Sequence, residues 1–440
     1  MRKYITHPLG IFIIAIHVLY FLIACKIGSI YLVDSYGYLN QAKNILLHQS
    51  WYAEDWNAPM LIDYFTIRPP LYAVFILLCK TLFNSDYFVI AIQNVLSIVN
   101  FFILWKLLSE FKIPQKNTSV MIVLGLIFFP SQLIHANFIM TEIMFQTLLL
   151  GVFYFSVITV QSPNSKNVFI ICLLLSLAML TKPVIFLFGI LLFIFFMTIH
   201  FKHNKKMLLS FVLLPITYHL LCLQNQHTTG HYHYSSIKIM ADIRVNARYV
   251  LAQKYGEDSS SKFVSKVFNE ANLLPEYGKR YEFISASCNQ VYVQNKATFA
   301  LLYLKGILST LFDPGRFDLA VFFGVQENNA IGILHLFHTE GMRSIPEILK
   351  TQPITLLIYL FFILLFNILV CITFCIFLFD KKNDFLLRVL VFLFVGYIIA
   401  ATGISGLCRY RVPIYPELIF ASAFALPMFF NFIKRKFSHA

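Results

Sequence analysis

The sequence predicts an all-α integral membrane protein with about ten transmembrane helices. Of its 440 residues 58% are hydrophobic and only 13% are charged, whereas soluble domains carry roughly half apolar and about a quarter charged residues. Apolar runs also recur from residue 9 to residue 433, with one sizeable polar stretch between them. This pattern favours one helical bundle that carries one large loop.

Each span is expected to hold about 20 mostly apolar residues. The run 168–200 is too long for one span and contains Thr181-Lys182-Pro183, and a charge beside a proline predicts the tip of a tight hairpin. The predicted spans are 9–33, 87–108, 118–136, 141–160, 168–180, 184–200, 207–223, 354–379, 385–404 and 412–433.

The short apolar segment 69–83 decides the predicted topology. If it crossed the membrane, every later basic loop would change side, so we predict that it lies in the interface. The polar segments then carry their basic residues on the cytoplasmic side, and the formal charge of +14 indicates membrane orientation rather than nucleic-acid binding. These residues are Arg2, Lys3, Lys106, Lys112, Lys116, Lys166, Lys202, Lys205, Lys206, Lys381, Lys382, Lys434, Arg435 and Lys436.

The segments predicted to lie on the opposite, external side are 34–86, 137–141, the tip at Lys182, 224–353 and 405–411. The loop 34–86 opens with apolar positions at helical spacing after Asp34 or Ser35, which predicts an amphipathic, capped helix. The region 224–353 has mixed composition, and its apolar segments 297–312 and 317–325 are expected to dip into the interface.

Charged residues at the external ends of the spans are the candidate functional groups, because charge at a membrane edge is costly. Two acids and four bases suit a reaction in which a general base activates a nucleophile while cations hold a phosphate-bearing leaving group. They are Asp34, Glu142, Arg68, Lys182, Arg409 and Arg411.

Each of these residues also has a structural explanation. Asp34 could cap the following helix, the arginines could extend to lipid headgroups, and Lys182 could simply end a helix. Glu142 could favour a helix N-terminus. Arg409 and Arg411, which flank Tyr410, are harder to explain in this way because arginine geometry suits bidentate phosphate binding.

Two other patterns bear on cofactors. His227, His231 and His233 have a spacing that could bind metal, but no matching carboxylates accompany them. The sequence contains no phosphate-cradling Gly-rich loop and no nucleotide-binding fingerprint. ATP and sugar nucleotides are therefore not expected as direct substrates.

Taken in order, the motifs resemble the GT-C superfamily of polyprenyl-phosphate-dependent glycosyltransferases, in particular bacterial relatives of protein O-mannosyltransferases and of the lipid A aminoarabinose transferase. The matching segments are Asp34-Ser35-Tyr36-Gly37-Tyr38-Leu39, Arg68-Pro69-Pro70-Leu71-Tyr72, Thr141-Glu142, Thr181-Lys182-Pro183 and Arg409-Tyr410-Arg411-Val412-Pro413-Ile414-Tyr415-Pro416. This sequence has Asp34-Ser35 where many members have Asp-Glu, and Lys182 where relatives often have arginine.

The resemblance implies transfer of a sugar from a polyprenyl phosphate to an acceptor hydroxyl at the periplasmic face of a bacterial inner membrane. Asp34 would be the catalytic base, and Glu142 would orient the acceptor or help hold a divalent cation. Arg68, Lys182, Arg409 and Arg411 would bind phosphate, and Tyr72 and Tyr410 would contact substrate. The acceptor would be a glycan, a lipid or a protein.

The same resemblance suggests a catalytic module over 1–223, a candidate acceptor-binding region over 224–353 and C-terminal membrane helices over 354–440. An O-antigen polymerase or ligase is an alternative function, since such enzymes use undecaprenyl-linked sugars and external arginines. A transporter is a further alternative, although it would favour polar or broken helices at the bilayer midplane.

Overall fold

The computed structural model describes residues 2–200, 208–325 and 353–437, and every regular element within them is a helix. This confirms the predicted all-α class. The predicted basic cluster at 202, 205 and 206 and the later part of the region 224–353, residues 326–352, lie outside the described residues.

The helices alternate between long apolar elements and shorter connecting ones. In chain order they are α1 (Arg2–Ile5), α2 (Pro8–Ile27), α3 (Val33–His48), α4 (Leu71–Phe83), α5 (Asp86–Glu110), α6 (Gln115–Phe128), α7 (Ser131–Ala136), α8 (Glu142–Gln161), α9 (Ser165–Met179), α10 (Phe186–His200), α11 (Leu213–Thr229), α12 (Ile237–Ala241), α13 (Arg248–Tyr255), α14 (Glu257–Asn272), α15 (Tyr277–Gln294), α16 (Lys296–Phe312), α17 (Arg316–Phe322), α18 (Ile354–Phe379), α19 (Phe385–Ala401) and α20 (Tyr415–Phe437). Short 3₁₀ segments cover Ile62–Phe65, Pro183–Ile185, Leu209–Val212, Gly403–Ser405 and Cys408–Ile414, and a π-helical segment covers Asp242–Ala247.

The apolar helices make the chain an integral, multi-pass membrane protein. Within the described residues, five segments are long and apolar enough to cross a membrane: Pro8–Ile27, Asp86–Glu110, Glu142–Gln161, Ile354–Phe379 and Cys408–Asn431. Shorter apolar helices cover Leu71–Phe83, Gln115–Phe128, Ser165–Met179, Pro183–Ile199 and Phe385–Ala401. Helices satisfy their backbone hydrogen bonds internally, which hydrocarbon requires.

Three predicted spans have different boundaries in the structure. The span predicted for 9–33 ends at Ile27, because Gly28 adopts a positive φ of 80° and caps the helix. The span predicted for 118–136 is two helices, since Pro130 follows the end of α6 and precedes α7. Within the described residues, the span predicted for 207–223 contains a 3₁₀ turn, Leu209–Val212, that continues into α11 and reaches Thr229.

The predicted hairpin and amphipathic helix are both present. Helices α9 and α10 are separated at Thr181-Lys182-Pro183, as expected. Helix α3 covers the predicted amphipathic segment, but Ser35 rather than Asp34 supports its start, because the Ser35 hydroxyl accepts the Leu32 N–H at 2.8 Å. The carboxylate of Asp34 is therefore available for other contacts.

Three apolar cores organise the described residues. The largest joins α2, α5, α6, α8, α9, α10, α18, α19 and α20. A second surrounds α3, α4 and α17, and a third lies among α12 to α16.

Candidate active site

Asp34 lies between two arginines from distant parts of the chain. The Arg68 Nη2 atom is 3.2 Å from Asp34 Oδ1, and the Arg409 Nη1 atom is 3.1 Å from Asp34 Oδ2. The Asp34 side chain is still 38% exposed, whereas those of Arg68 and Arg409 are 15% and 24% exposed. Each carboxylate oxygen thus has a cationic partner, while the group as a whole remains accessible to a substrate.

The residues after Asp34 form a cradle for Arg68. A Cβ at Gly37 would lie 2.5 Å from Arg68 Nε, so only glycine leaves room for the guanidinium group. The Tyr38 ring lies beneath it, with its centroid 4.1 Å from Arg68 Cζ. Gln41 donates to the Arg68 carbonyl at 3.0 Å. The Asp34-Ser35-Tyr36-Gly37-Tyr38 motif therefore positions Arg68 as well as supplying the carboxylate.

The charge environment keeps Asp34 ionised. Burial raises the pKa of Asp34, but Arg409 and Arg68 together outweigh that effect and hold the pKa below its usual value. The charge of Glu142 acts in the opposite direction and is a smaller influence. Asp34 is consequently a carboxylate at neutral pH and can accept a proton.

A second ion pair lies near the first. Lys182 Nζ, at the hairpin tip, donates to Glu142 Oε1 at 2.9 Å, and the Glu142 side chain is only 2% exposed. The Leu71 N–H donates to the Leu180 carbonyl at 2.9 Å, which joins the start of α4 to this tip. The charge of Glu142 also acts on Arg409, so the two ion pairs belong to one electrostatic cluster.

Tyr410 and Arg411 have different surroundings although they are neighbours. The Tyr410 hydroxyl accepts from Arg409 Nη2 at 3.2 Å, so Tyr410 helps hold that guanidinium. Arg411 is buried, donates to the carbonyls of Leu311 and Asp313, and stacks on Phe129. This placement favours a structural role for Arg411 over the predicted phosphate contact.

Tyr72 is also committed to internal contacts. Its side chain is fully buried, and its hydroxyl donates to Gln93 Oε1 at 2.5 Å. Gln93 in turn donates to the Phe138 carbonyl at 2.7 Å. Tyr72 therefore connects α4 to α5 and to the segment before α8, a placement that favours a structural role over the predicted substrate contact.

Sequence reasoning missed four residues around Cys408, three of them buried and Asp313 partly buried, that hold the segment next to Arg409. Asp318 Oδ2 pairs with His135 Nε2 at 2.9 Å and accepts from Cys408 Sγ at 3.2 Å. Asp313 Oδ2 accepts the Cys408 N–H at 3.2 Å. The signal was present, since Asp318 is a charge inside the apolar segment 317–325, but that segment was considered only for its apolarity.

The surroundings of Glu142 do not fit a divalent cation. Its nearest partner is the Lys182 ammonium group, and Arg409 adds further positive charge. Among the described residues no three His, Cys, Asp or Glu side chains converge as metal ligands. The histidines at 231 and 233 stack on each other, and His233 bonds to Thr66 Oγ1 at 2.9 Å. We therefore derive no step through a metal.

Comparison with known proteins finds a family match for one segment of the chain. Residues 67–222, less than half of the chain, match the dolichyl-phosphate-mannose-protein mannosyltransferase family. The matched segment includes Arg68, Glu142 and Lys182, and Asp34 and Arg409 lie outside it.

Two solved structures resemble this chain at low sequence identity. The archaeal oligosaccharyltransferase AglB from Archaeoglobus fulgidus, in complex with an inhibitory peptide and a dolichol-phosphate, is 12% identical with a TM-score of 0.45. The alignment covers 97% of this chain and 52% of AglB, so the chain spans about half the length of that protein. ArnT from Cupriavidus metallidurans bound to undecaprenyl phosphate is 11% identical, with a TM-score of 0.40 and coverage of 95% and 78%. No curated protein sequence matches significantly.

Proposed function

We propose that this protein transfers a sugar from a polyprenyl phosphate to an acceptor hydroxyl, with Asp34 as the general base. The observation that carries the proposal is the accessible carboxylate of Asp34 between Arg68 and Arg409. Glycosyl transfer from a phosphate carrier needs a base that accepts the proton of the acceptor hydroxyl and cations that stabilise the departing phosphate. Here the base is in direct contact with two cations.

The balance of charge suits a phosphate substrate. In the two ion pairs three cations, Arg68, Lys182 and Arg409, face two carboxylates, Asp34 and Glu142. A third nearby carboxylate, Asp318, is paired with His135. A sugar-linked phosphodiester carries one negative charge, and the phosphate monoester that leaves carries more, because its second pKa is about 6. Cations beside the departing oxygen therefore stabilise the transition state more than the bound donor.

Donor binding would also activate the base. When the donor phosphate takes up hydrogen bonds from Arg68 or Arg409, Asp34 loses part of the positive charge that holds its pKa low. A higher pKa makes Asp34 a stronger base. The acceptor oxygen then attacks C1 of the sugar, the proton passes to Asp34, and the C1–O bond to phosphate breaks with inversion at C1.

The remaining charged residues support this centre. Lys182 contacts the donor phosphate in this scheme, and Glu142 holds Lys182 in place through their 2.9 Å hydrogen bond. Arg411 and Tyr72 act as structural residues, in place of the substrate contacts expected from the sequence. Arg411 anchors the Cys408–Ile414 segment to residues 311–313.

The topology we propose has ten spans, with α4 in the interface and the site on the external face of a bacterial cytoplasmic membrane. Helix α4 contains 13 residues, close to the 14 and 15 residues of α6 and α9, so length does not separate it from these spans. Helix α4 is placed in the interface because a crossing at that point would move every later basic segment to the other side of the membrane. Residues 1–223 and 354–440 form the membrane part in this scheme, and the region between them lies outside.

The test measures release of free polyprenyl phosphate from short-chain polyprenyl-phosphate sugars by the purified protein. Asp34→Asn removes the base and is expected to lower the rate by 10²-fold or more. Asp86→Asn is the matched control, because Asp86 is also an ion-paired carboxylate, 2.8 Å from Lys80 Nζ, but belongs to a separate pair.

Wild-type release that Asp34→Asn abolishes and Asp86→Asn preserves would support the proposal. An Asp34→Asn variant with the wild-type rate would remove Asp34 as the base. Turnover of polyprenyl diphosphate oligosaccharides in place of the monophosphate sugars would indicate a polymerase or ligase.

A further inference from the structure

A cavity of about 130 Å³ adjoins Arg68 on the outer part of the fold. One wall is formed by the first loop, with Trp51, Pro69 and Pro70. The other wall is formed by the end of α11 and by Tyr234. The cavity therefore joins the loop that carries part of the active site to the region that follows residue 223.

Internal hydrogen bonds hold the walls in place. Asn225 Nδ2 donates to the carbonyls of His233 and Tyr234 at 3.0 and 2.8 Å. The Tyr234 hydroxyl donates to the Met179 carbonyl at 2.8 Å, and Thr66 is bonded to His233. The polar groups of Asn225, Tyr234 and Thr66 are thus satisfied, and the cavity is formed without a ligand.

Gln224 and Trp51 have polar groups left for a ligand. Gln224 is exposed, and neither its side-chain amide nor the Trp51 indole N–H forms a hydrogen bond within the described part of the chain. Arg68 is the single cation among the residues lining the cavity, and no carboxylate lines it. Aromatic faces with a few free neutral donors and acceptors suit an uncharged, hydroxyl-bearing ring.

We infer that this cavity binds the acceptor, as an uncharged sugar ring whose reactive hydroxyl points past Arg68 toward Asp34. The inference rests on the proposed function. Arg68 lines the cavity, and its Nη2 atom is 3.2 Å from the carboxylate of Asp34. Lys182 and Arg409, the other cations of the active site, do not line the cavity. The donor phosphate and the acceptor therefore occupy different sides of Arg68.

Helix α11 offers a matched pair of variants. Gln224 and Gln226 are both exposed glutamines, but only Gln224 lines the cavity. Thr228 also lines it, and within the described part of the chain its hydroxyl donates to the Gln224 carbonyl of its own helix and to no other group. Thr228→Trp thus fills the cavity without removing a contact between helices.

The experiment varies the concentration of methyl glycosides as probe acceptors at a fixed concentration of a short-chain polyprenyl-phosphate sugar. Gln224→Ala is expected to raise the KM for the glycoside about three- to tenfold, the effect of one lost hydrogen bond, with an unchanged KM for the donor. Gln226→Ala is expected to match the wild type. Thr228→Trp is expected to abolish transfer to the glycoside.

The outcomes separate this inference from the proposed function. If wild type releases no polyprenyl phosphate from any donor, the proposed function fails. If wild type transfers sugar to glycosides and both Gln224→Ala and Thr228→Trp behave like Gln226→Ala, the cavity is not the acceptor site. Transfer to a serine-containing peptide but to no glycoside would overturn the assignment of a sugar acceptor.

Discussion

The carboxylate of Asp34 lies 3.1 Å from the guanidinium group of Arg409, a residue 375 positions later in the chain. The contact joins the start of α3 to the Cys408–Ile414 segment, which precedes the last helix. The base and one of its cations therefore meet only when the first and last parts of the chain have packed together.

Replacement of Arg409 by lysine is expected to lower kcat/KM by about 10²-fold. Arg409 uses Nη1 for Asp34 and Nη2 for Tyr410, and a single ammonium group does not reproduce that fork. Arg388→Lys is the control, since the Arg388 guanidinium donates to the Leu378 carbonyl and lies over the Phe385 ring, outside the site. Steady-state release of polyprenyl phosphate is the measurement, and equal rates for the two variants would contradict the role of the fork.

Gly37→Ala is expected to reduce activity while leaving the protein folded. Alanine favours a helix by about 1 kcal/mol over glycine, but its Cβ would lie 2.5 Å from Arg68 Nε and would displace that guanidinium. In Gly396→Ala, the control in α19, the nearest atom would be 3.4 Å away, which is ordinary contact. Turnover and thermal unfolding of both variants test this, and a fully active Gly37→Ala variant would show that Arg68 tolerates displacement.

The pH dependence of stability and of activity should reflect the two arginines beside Asp34. The pKa of Asp34 is held below its usual value of 3.8 in the folded protein. The stabilisation by its two ion pairs is therefore complete above that usual pKa and is lost as the pH falls through the lowered pKa. The base is likewise ionised across neutral and mildly acidic pH. The acid limb of the free enzyme's pH–rate profile is therefore expected below about pH 4.

Arg68→Gln provides the comparison for that profile. Removing one cation raises the pKa of Asp34, so the acid limb of kcat/KM should move to higher pH, separately from any fall in the maximum rate. An acid limb at the same pH in both proteins would mean that Arg68 does not influence the base.

Glu142 and Lys182 should behave as a coupled, buried pair. Lys182→Met leaves the 2%-exposed Glu142 carboxylate without its partner, and breaking such a pair typically costs about 3–5 kcal/mol. The double variant Glu142→Gln with Lys182→Met should recover most of that loss in unfolding free energy but should remain inactive. Recovery of activity in the double variant would exclude Lys182 from phosphate binding.

Local chemistry explains why much of the fold was predictable. The length of an apolar run and the cost of buried charge act within a few residues, so the helical class, the break at Thr181-Lys182-Pro183 and the amphipathic helix after Asp34 followed from the sequence. The same reasoning drew attention to Asp34, Arg68, Glu142, Lys182 and Arg409. The helix boundary at Gly28 was missed, because the sequence stays apolar beyond Gly28 and hydropathy does not show that the backbone adopts a positive φ there.

The pairing of these charges depended on tertiary structure. Every charged residue at a span end has the same local cost, so the sequence alone did not distinguish Arg409, which bonds to Asp34, from Arg411, which is buried against carbonyls of residues 311 and 313. Tyr72, Asp313 and Asp318 show the same limit, since their partners come from other segments. The sequence by itself determined a multi-pass helical membrane protein and the set of charges at its edge, and packing between distant segments decided which of those charges meet, because hydrogen bonds form only over about 3 Å.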